Sequence, residues 1–485
     1  MSIDFSLRQI ASIVSTADDC RSERCISGVA TDSREVRPGF LYVARVGSEL
    51  DGHSYLADAF QRGAAGALVD AAWLDSQRGS DALRTWELVG CADTTEALGR
   101  LAREWRKSLR APVLAITGSN GKTTTRALTQ TVLSGTNGIG SASIKSFNNH
   151  VGLPLTILNT PASARWLLLE AGMNHPGELT YLGGIAAPDA AAVLNIGPAH
   201  YEFFGSLDRI ADAKCELLAQ IAPSGWAVWR SDDAVLREGV SRMRRQRSAP
   251  LHELRFGLGA DADLSFSDLE QNASGRQVFL LHDNRSGEHT RVELPYPGRH
   301  NIYNALAAVA LTKAVFPETP LDACADALAK APVVEMRLQT SQVGRTLLIN
   351  DAYNANPAST RAGLETAVEL AQGGRVTAVI GDMLELGPDS ARFHREIGEH
   401  AAAVGVARLV GYGRFARDMV AGAQSSGLQS AVVAAHKNDI VSAVTDGGCP
   451  DVVLIKGSRG VALDEVIDEL TSALHALSST LPASR

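Results

Sequence analysis

The segment that most restricts how this chain can fold is TGSNGKTT at residues 117–124. It stands directly behind the apolar run PVLAIT (112–117) and ahead of a helix-forming stretch. A strand, a Gly-rich turn and a helix in that order let the backbone curl until its N–H groups face phosphate oxygens at a helix N-terminus. In such a loop the Lys122 ammonium reaches the β- and γ-phosphates and the Thr123 hydroxyl ligates Mg²⁺. The common form carries a glycine five residues before the second one, and here that position is Ile116. A chance Gly-Lys turn is the competing reading; the strand–turn–helix setting argues against it.

Around this loop the chain alternates between strand and helix patterns. At 485 residues it is too long for one core, and roughly 150 residues per domain gives about three units. The first has a short strand in residues 40–43, a helix over 56–62, a second strand in GAAGALVD (63–70) and a helix over 94–110 that leads to Pro112. The second continues with strands in WLLLEAG (166–172) and AAVLNIG (191–197), a charged irregular stretch near 261–290 that reads as a hairpin insert or loops, and a closing helix after Asn301. A third alternation runs through TLLIND, a helix from Ser359, RVTAVIGD, a helix around Phe393, ARLVGYG, DVVLIKG and a last helix. The expected fold is therefore α/β with parallel sheets wrapped by helices, in units 1–108, 109–333 and 334–485, the last Rossmann-like. The tail SSTLPASR is expected to be disordered.

Charge and cysteine usage narrow the class. Lys and Arg number 46 against 54 Asp and Glu, a net −8, which argues against a nucleic-acid binder while leaving room for a local phosphate pocket. Cys20, Cys25, Cys91, Cys215, Cys324 and Cys449 are scattered with no zinc pattern, as expected of plain thiols in a reducing compartment. The start MSIDFSLRQI lacks a basic, then apolar, leader, and no run of about 18 apolar residues occurs, so no membrane insertion and a cytoplasmic location are expected.

Three segments place polar groups at strand ends, where α/β ligand sites form: Glu170, His200 in NIGPAHYEFFGS, and Asp351 ahead of AYNANP. A carboxylate and an imidazole near a phosphate loop suit a metal holding a nucleotide, although either alone is more often structural. Lys214 lies on the helical stripe Leu207, Ile210, Leu217, Leu218 and Ile221. Pattern alone favours a lysine snorkelling outward over one held inside for a reason. His394, Glu396 and His400 fall on one helix, but the imidazoles are six apart, so this reads as a solvated helix and not a zinc pair. GTNGIG (135–140) is not a dinucleotide fingerprint, and no GxSxG elbow is present.

GSNGKTT, EAGMNHPGE, NIGPAHYEFFGS, HNIYNALAA and DAYNANP, in this order, resemble the Mur ligases of peptidoglycan synthesis. TDSREVRPGFLYVARVGSELDGHSY resembles that family's uridine-nucleotide-binding domain, so the likeness spans nearly the whole chain. DAYNANP (351–357) with VIGDMLELG (379–387) looks most like the branch that adds D-alanyl-D-alanine to UDP-N-acetylmuramoyl-tripeptide. The resemblance implies an ATP- and Mg²⁺-dependent, three-domain amide ligase working through an acyl phosphate, with those two substrates as partners and a monomeric state. It implies that Gly118, Ser119, Asn120, Gly121, Lys122, Thr123 and Thr124 bind ATP phosphates, with Lys122 stabilising the phosphoryl group. Glu170 would hold a first Mg²⁺ and His200 a second, with a carbamylated Lys214 serving the same site. Asn301 would read the adenine, while Arg337 and Asp351 would hold the ribose and phosphate end. Ser33, Arg34 and His53 would face the uridine diphosphate, and Asn148 and Asn149 the peptidyl part. Lys456, Ser458 and Arg459 would line the C-terminal face of the cleft.

Two departures loosen inferences about substrate selectivity. Ala171-Gly172-Met173-Asn174 stands where relatives carry Gly-Ala-Asn, and Met336 replaces the usual glycine before the cross-domain arginine. The alternatives are another ligase of the same superfamily, either the enzyme adding the third peptide residue or a folylpolyglutamate synthetase, and a non-catalytic nucleotide switch. The uridine-type N-terminal segment argues against the folate enzyme, and DAYNANP against the other peptide-adding steps. A switch would have no need of Glu170, His200 and Lys214 together.

Overall fold

The computed structural model describes residues 3–14, 21–47, 50–77, 83, 85–144, 147–272, 275–446 and 448–480. Cys20 and the tail beyond residue 480 lie outside them. Three sheets follow one another along the chain, one for each expected alternation.

The first sheet is parallel throughout, in the order Gly28–Ala30, Phe40–Val43, Gly66–Asp70, Leu88–Cys91. The following helix, Thr94–Ser108, begins at Asp93, whose carboxylate accepts from Thr95 and Glu96 N–H groups. That satisfies two of the donors every helix start leaves unpaired. Its Leu98, Leu101 and Trp105 are buried in an apolar core that joins Leu7, Val29 and Leu41 of the first unit to Leu153, Leu169 and Leu182 of the second.

The central sheet has nine strands. Its parallel portion runs His252–Phe256, Trp226–Arg230, Ala190–Val193, Val113–Thr117, Leu167–Glu170 and Ser141–Ala142 in spatial order. The apolar runs VLAIT, LLLE and AAAV are buried at every residue because helices cover both faces. Helices Glu178–Ala186, Leu207–Ala219 and Ala234–Gln246 pack on one face, and Lys122–Thr136, Arg299–Val315 and Leu321–Leu328 on the other. The stretch left open between hairpin and loops is hairpin. Leu264–Gln271, Gln277–Asp283 and Glu288–Leu294 extend the same sheet at its edge, the last two pairings antiparallel.

The third sheet has the order Gln339–Val343, Thr346–Asp351, Val452–Lys456, Val376–Gly381, Arg408–Tyr412, Ala431–Ala434, parallel except at its first edge. Two of these strands, Gln339–Val343 and Ala431–Ala434, went unseen in the sequence; QTSQV carries four polar residues in a row and so shows no apolar run. Helix Ser390–Ala403 is not the solvated helix expected. Phe393, Ile397 and Ala401 are core residues, and His394 is fully buried, accepting from Met383 N–H (2.9 Å) and donating to the Ser390 carbonyl (2.7 Å). Ser478 to Thr480, expected to be disordered, end helix Ile467–Thr480. No helix among the described residues is long and apolar enough to cross a membrane.

Candidate active site

Strand Val113–Thr117 lies between Leu167–Glu170 on one side and Ala190–Val193 on the other, so the chain order reverses there. A crevice opens at the carboxyl ends of strands at such a reversal. Here the C-terminal unit closes it into a cleft of about 720 Å³, lined by residues 119–124, Glu170, His200, Asp351 and Lys456 among others.

The glycine-rich loop leads into helix Lys122–Thr136, whose N-cap is Gly121 with φ +85°. Ser119 bonds the Gly197 carbonyl and Asn120 exchanges hydrogen bonds with Asn195, so the loop is laced to the segment after Ala190–Val193. Lys122 Nζ rests on the Gly118 carbonyl at 2.7 Å, and burial lowers its pKa despite the opposing pull of Glu170. The Thr123 hydroxyl donates to Glu170 Oε2 (3.1 Å) and accepts from Arg337 Nη2 (3.0 Å). Asn148 donates to the other oxygen of Glu170 at 2.8 Å, and Arg126 Nε lies 3.8 Å from the carboxylate. The strongest sequence motif and the strand-end carboxylate therefore meet, with Glu170 buried.

Opposite, the C-terminal unit supplies Asp351, whose carboxylate accepts from Lys456 Nζ (2.6 Å) and the Leu338 N–H (3.1 Å). Arg337 lies over the Tyr353 ring at 4.2 Å, and Asn356 reaches across to Asn120 (2.7 Å). His200 donates from Nδ1 to Glu385 Oε2 at 2.5 Å, holding that carboxyl below its ordinary range. Lys214 does not snorkel. It is 1% exposed, and desolvation followed by the nearby Lys122 charge drives its pKa well down. It is not part of the cleft wall itself.

Other sequence-chosen residues stand differently. Asn301 lines the cleft, its carboxamide donating to the Pro297 carbonyl and accepting from Asn304, which braces it in the wall. His53 is buried in the first unit between Asp51 (2.6 Å) and the Asp70 N–H (3.0 Å), with both ring nitrogens occupied. Ser33 bonds Asp58, and exposed Arg34 pairs with Asp32, both away from the cleft. Asn148 and Asn149 line it; Asn149 also caps helix Gly152–Leu158. Of Lys456, Ser458 and Arg459, only Lys456 is in the wall; Ser458 is buried behind it and Arg459 pairs with Asp464. Sequence reasoning missed Arg230, His300 and Tyr303, which line a small side pocket with Asn120 and Gly121. Burial lowers the His300 pKa to about 4, and Arg230 stacks on Tyr303 at 3.7 Å. HNIYN and the strand end at Arg230 carried that signal, but nothing local joins residues 230 and 303.

A phosphate loop, a buried carboxylate beside it and a second doubly wound unit facing both across one cleft define a nucleoside-triphosphate-dependent enzyme that activates a substrate by phosphoryl transfer. Family comparison agrees along the chain: residues 25–106 match the Mur ligase family catalytic domain, 116–312 the Mur ligase middle domain, and 336–459 the Mur ligase glutamate ligase domain. The UDP-N-acetylmuramoyl-tripeptide–D-alanyl-D-alanine ligase of Bacillus subtilis (strain 168) is 33% identical, the alignment covering 96% of this chain and 98% of that one. A crystal structure of MurF from Acinetobacter baumannii superposes with a TM-score of 0.84 at 28% identity, covering 97% and 99% of the two chains. The MurF ligase from Thermotoga maritima in complex with ADP gives 0.77 at 27% identity, over 93% and 98%. The chain belongs to the Mur ligase family.

Proposed function

We propose that this chain is the ATP-dependent ligase that joins D-alanyl-D-alanine to UDP-N-acetylmuramoyl-tripeptide in peptidoglycan precursor synthesis, acting as a monomer in the cytoplasm with units dividing near residues 108 and 333. The observation that carries the reading is the single cleft in which Lys122, Thr123 and Glu170 face Asp351, Asn354 and Asn356 of the DAYNANP segment. ATP enters with its phosphates on the Gly118–Thr124 loop and its base toward Arg230, His300 and Tyr303. A tripeptide carboxylate oxygen attacks the γ-phosphorus, the bond to the β-phosphate oxygen breaks, and ADP leaves. The D-alanyl-D-alanine amine then attacks the acyl carbon, loses its proton, and inorganic phosphate departs.

In this step Lys122 offsets charge on the phosphoryl group in flight, and Arg337 reaches the same end of the loop from the opposite unit. The residues fit Mg²⁺. The Thr123 hydroxyl and the buried Glu170 carboxylate stand together, and among the described residues no three acidic, His or Cys groups form a complete cage. A cation held by few protein ligands and several phosphate oxygens suits magnesium. His200 and a carbamylated Lys214 would serve a second ion; bound, the metal would neutralise charge developing between the phosphates. Asp351 is fixed by Lys456 to meet the ribose end. The peptidyl part passes Asn148 and Asn149, and the uridine diphosphate meets the first unit near Ser33 and Arg34, with His53 bracing the turn behind.

The test is ADP and phosphate release measured with each substrate alone and with both. The expected result is phosphate release only with both, and loss of more than tenfold in Lys122→Ala. A better rate with a single amino acid, such as D-glutamate, L-lysine or diaminopimelate, would overturn the choice of acceptor.

A further inference from the structure

The segment 382–387, which links strand Val376–Gly381 to the C-terminal unit's next helix, is held more firmly than a surface connection requires. The Met383 N–H is fixed on buried His394, and the Leu384 N–H donates to the buried Ser458 hydroxyl at 2.9 Å. Glu385 follows with φ +63°, a left-handed conformation that strains a residue with a β-carbon. Its side chain, 43% exposed, has no core to fill. What the strained turn achieves is contact with the central unit. Glu385 Oε2 accepts from His200 Nδ1, and the Glu385 carbonyl accepts from the Glu202 N–H at 3.1 Å. His200 is itself left-handed, at φ +57°. An ionised carboxylate only accepts, so Nδ1 carries the proton, and Nε2 is the one nitrogen of this cleft-lining ring left for a ligand.

We infer that Glu385 is a positioning residue: it reaches from the C-terminal unit to fix the tautomer and aim of His200, so that this imidazole is set for the reaction only when the two units are docked. The inference rests on the ligase reading and adds to it a residue outside the cleft wall. Carboxylates that orient a liganding imidazole typically account for 10–100-fold in activity or affinity. Their effect passes wholly through the imidazole.

The experiment has a spectroscopic and a kinetic arm. In the metal-free protein at alkaline pH, long-range ¹H–¹⁵N NMR of labelled histidine should show His200 as the Nδ1–H tautomer, and Glu385→Ala should shift it toward Nε2–H. In the ligase assay Glu385→Ala should lower kcat about 10–100-fold with KM for the UDP-tripeptide unchanged. Glu385→Gln, which keeps an acceptor oxygen, should recover part of the loss, while the thermal midpoint stays near that of the wild type. Combined with His200→Ala, Glu385→Ala should cost nothing further. A wild-type Nε2–H ring, losses that multiply in the double variant, or a Glu385→Ala kcat within twofold of wild type would overturn the inference while leaving the ligase reading intact. A wild-type chain that releases no phosphate with both substrates would overturn both.

Discussion

At the scale of single residues, Lys214 is informative because a buried amine is costly to charge. It sits between Ile210 and Leu217 on helix Leu207–Ala219, 1% exposed, and its amine makes no hydrogen bond or ion pair among the described residues. Burial disfavours its ammonium first and the Lys122 charge second. The linkage sign follows from this depressed pKa. The unfolded chain takes up a proton below ~10.4 that the folded chain refuses, so this group's contribution falls as pH drops from there toward the folded pKa. Lys214→Met should therefore raise the thermal midpoint in bicarbonate-free buffer at neutral pH, with the gain shrinking toward pH ~10.4, and should be nearly inactive. Lys214→Ala should be rescued in part by acetate, because a neutral buried amine is the form that carbon dioxide converts to a carbamate anion. A Met variant with full activity would mean that the lysine is a burden without a use.

Elements explain why some of this was legible in advance. PVLAIT, WLLLEAG and TLLIND read as strands because helices cover both faces of their sheets and their central positions select for apolar residues. Gln339–Val343 pairs on one side only and has mostly half-buried or exposed residues, so its composition carries no such imprint. Likewise Lys122 and Thr123 were readable because they open the helix behind a strand and a glycine-rich turn, and Glu170 because it ends its own strand. The Arg230–Tyr303 stack and the His200–Glu385 bond join elements 73 and 185 positions apart, and no local pattern records that. For His53 the residue type was visible but not that the fold engages both of its ring nitrogens. The loop glycine makes the element-scale prediction. Gly121 has φ +85°, and a β-carbon there would strike the Asn304 side chain. Gly121→Ala should weaken ATP binding more than tenfold by calorimetric titration and cost at least ~1 kcal/mol of stability. Adding Asn304→Ala should restore only part, since the clash is removed and the backbone strain is not. Unchanged ATP affinity in the single variant would refute the role given to this turn.

Across the whole molecule the two junctions between units are built from different forces, and this sets which of them can move. The first and central units share one apolar core through Leu98, Leu101 and Trp105 of helix Thr94–Ser108. Trp105 Nε1 also bonds the Thr160 carbonyl at 3.1 Å, and Asn159 pairs with both backbone groups of Val29, closing the edge of the first sheet as a further strand would. The C-terminal unit has its own cores on both sheet faces and meets the centre mainly through polar contacts: Arg337 with Thr123, Asn356 with Asn120, Glu385 with His200. Tyr201 also packs against Phe393, edge to face at 5.6 Å. Buried apolar area stabilises by roughly 25 cal/mol per Å², whereas a few hydrogen bonds at a wet boundary exchange with water at little net cost. The surface bearing Arg34 is therefore expected to stay fixed relative to the phosphate loop, and the C-terminal unit to be the part that docks and releases. Expressed alone, residues 334–485 should melt cooperatively. Residues 1–108 should not, because their helix would expose the face that Leu153, Leu169 and Leu182 cover, and should instead bind an apolar dye without a sharp transition. In the intact chain, Asn159→Ala should lower the midpoint of the 1–333 portion and leave that of the C-terminal unit unchanged by calorimetry. A cooperative melt of the isolated 1–108 segment would show that the shared core is not what holds the first junction, and the division of the molecule into one rigid pair and one moving partner would fail with it.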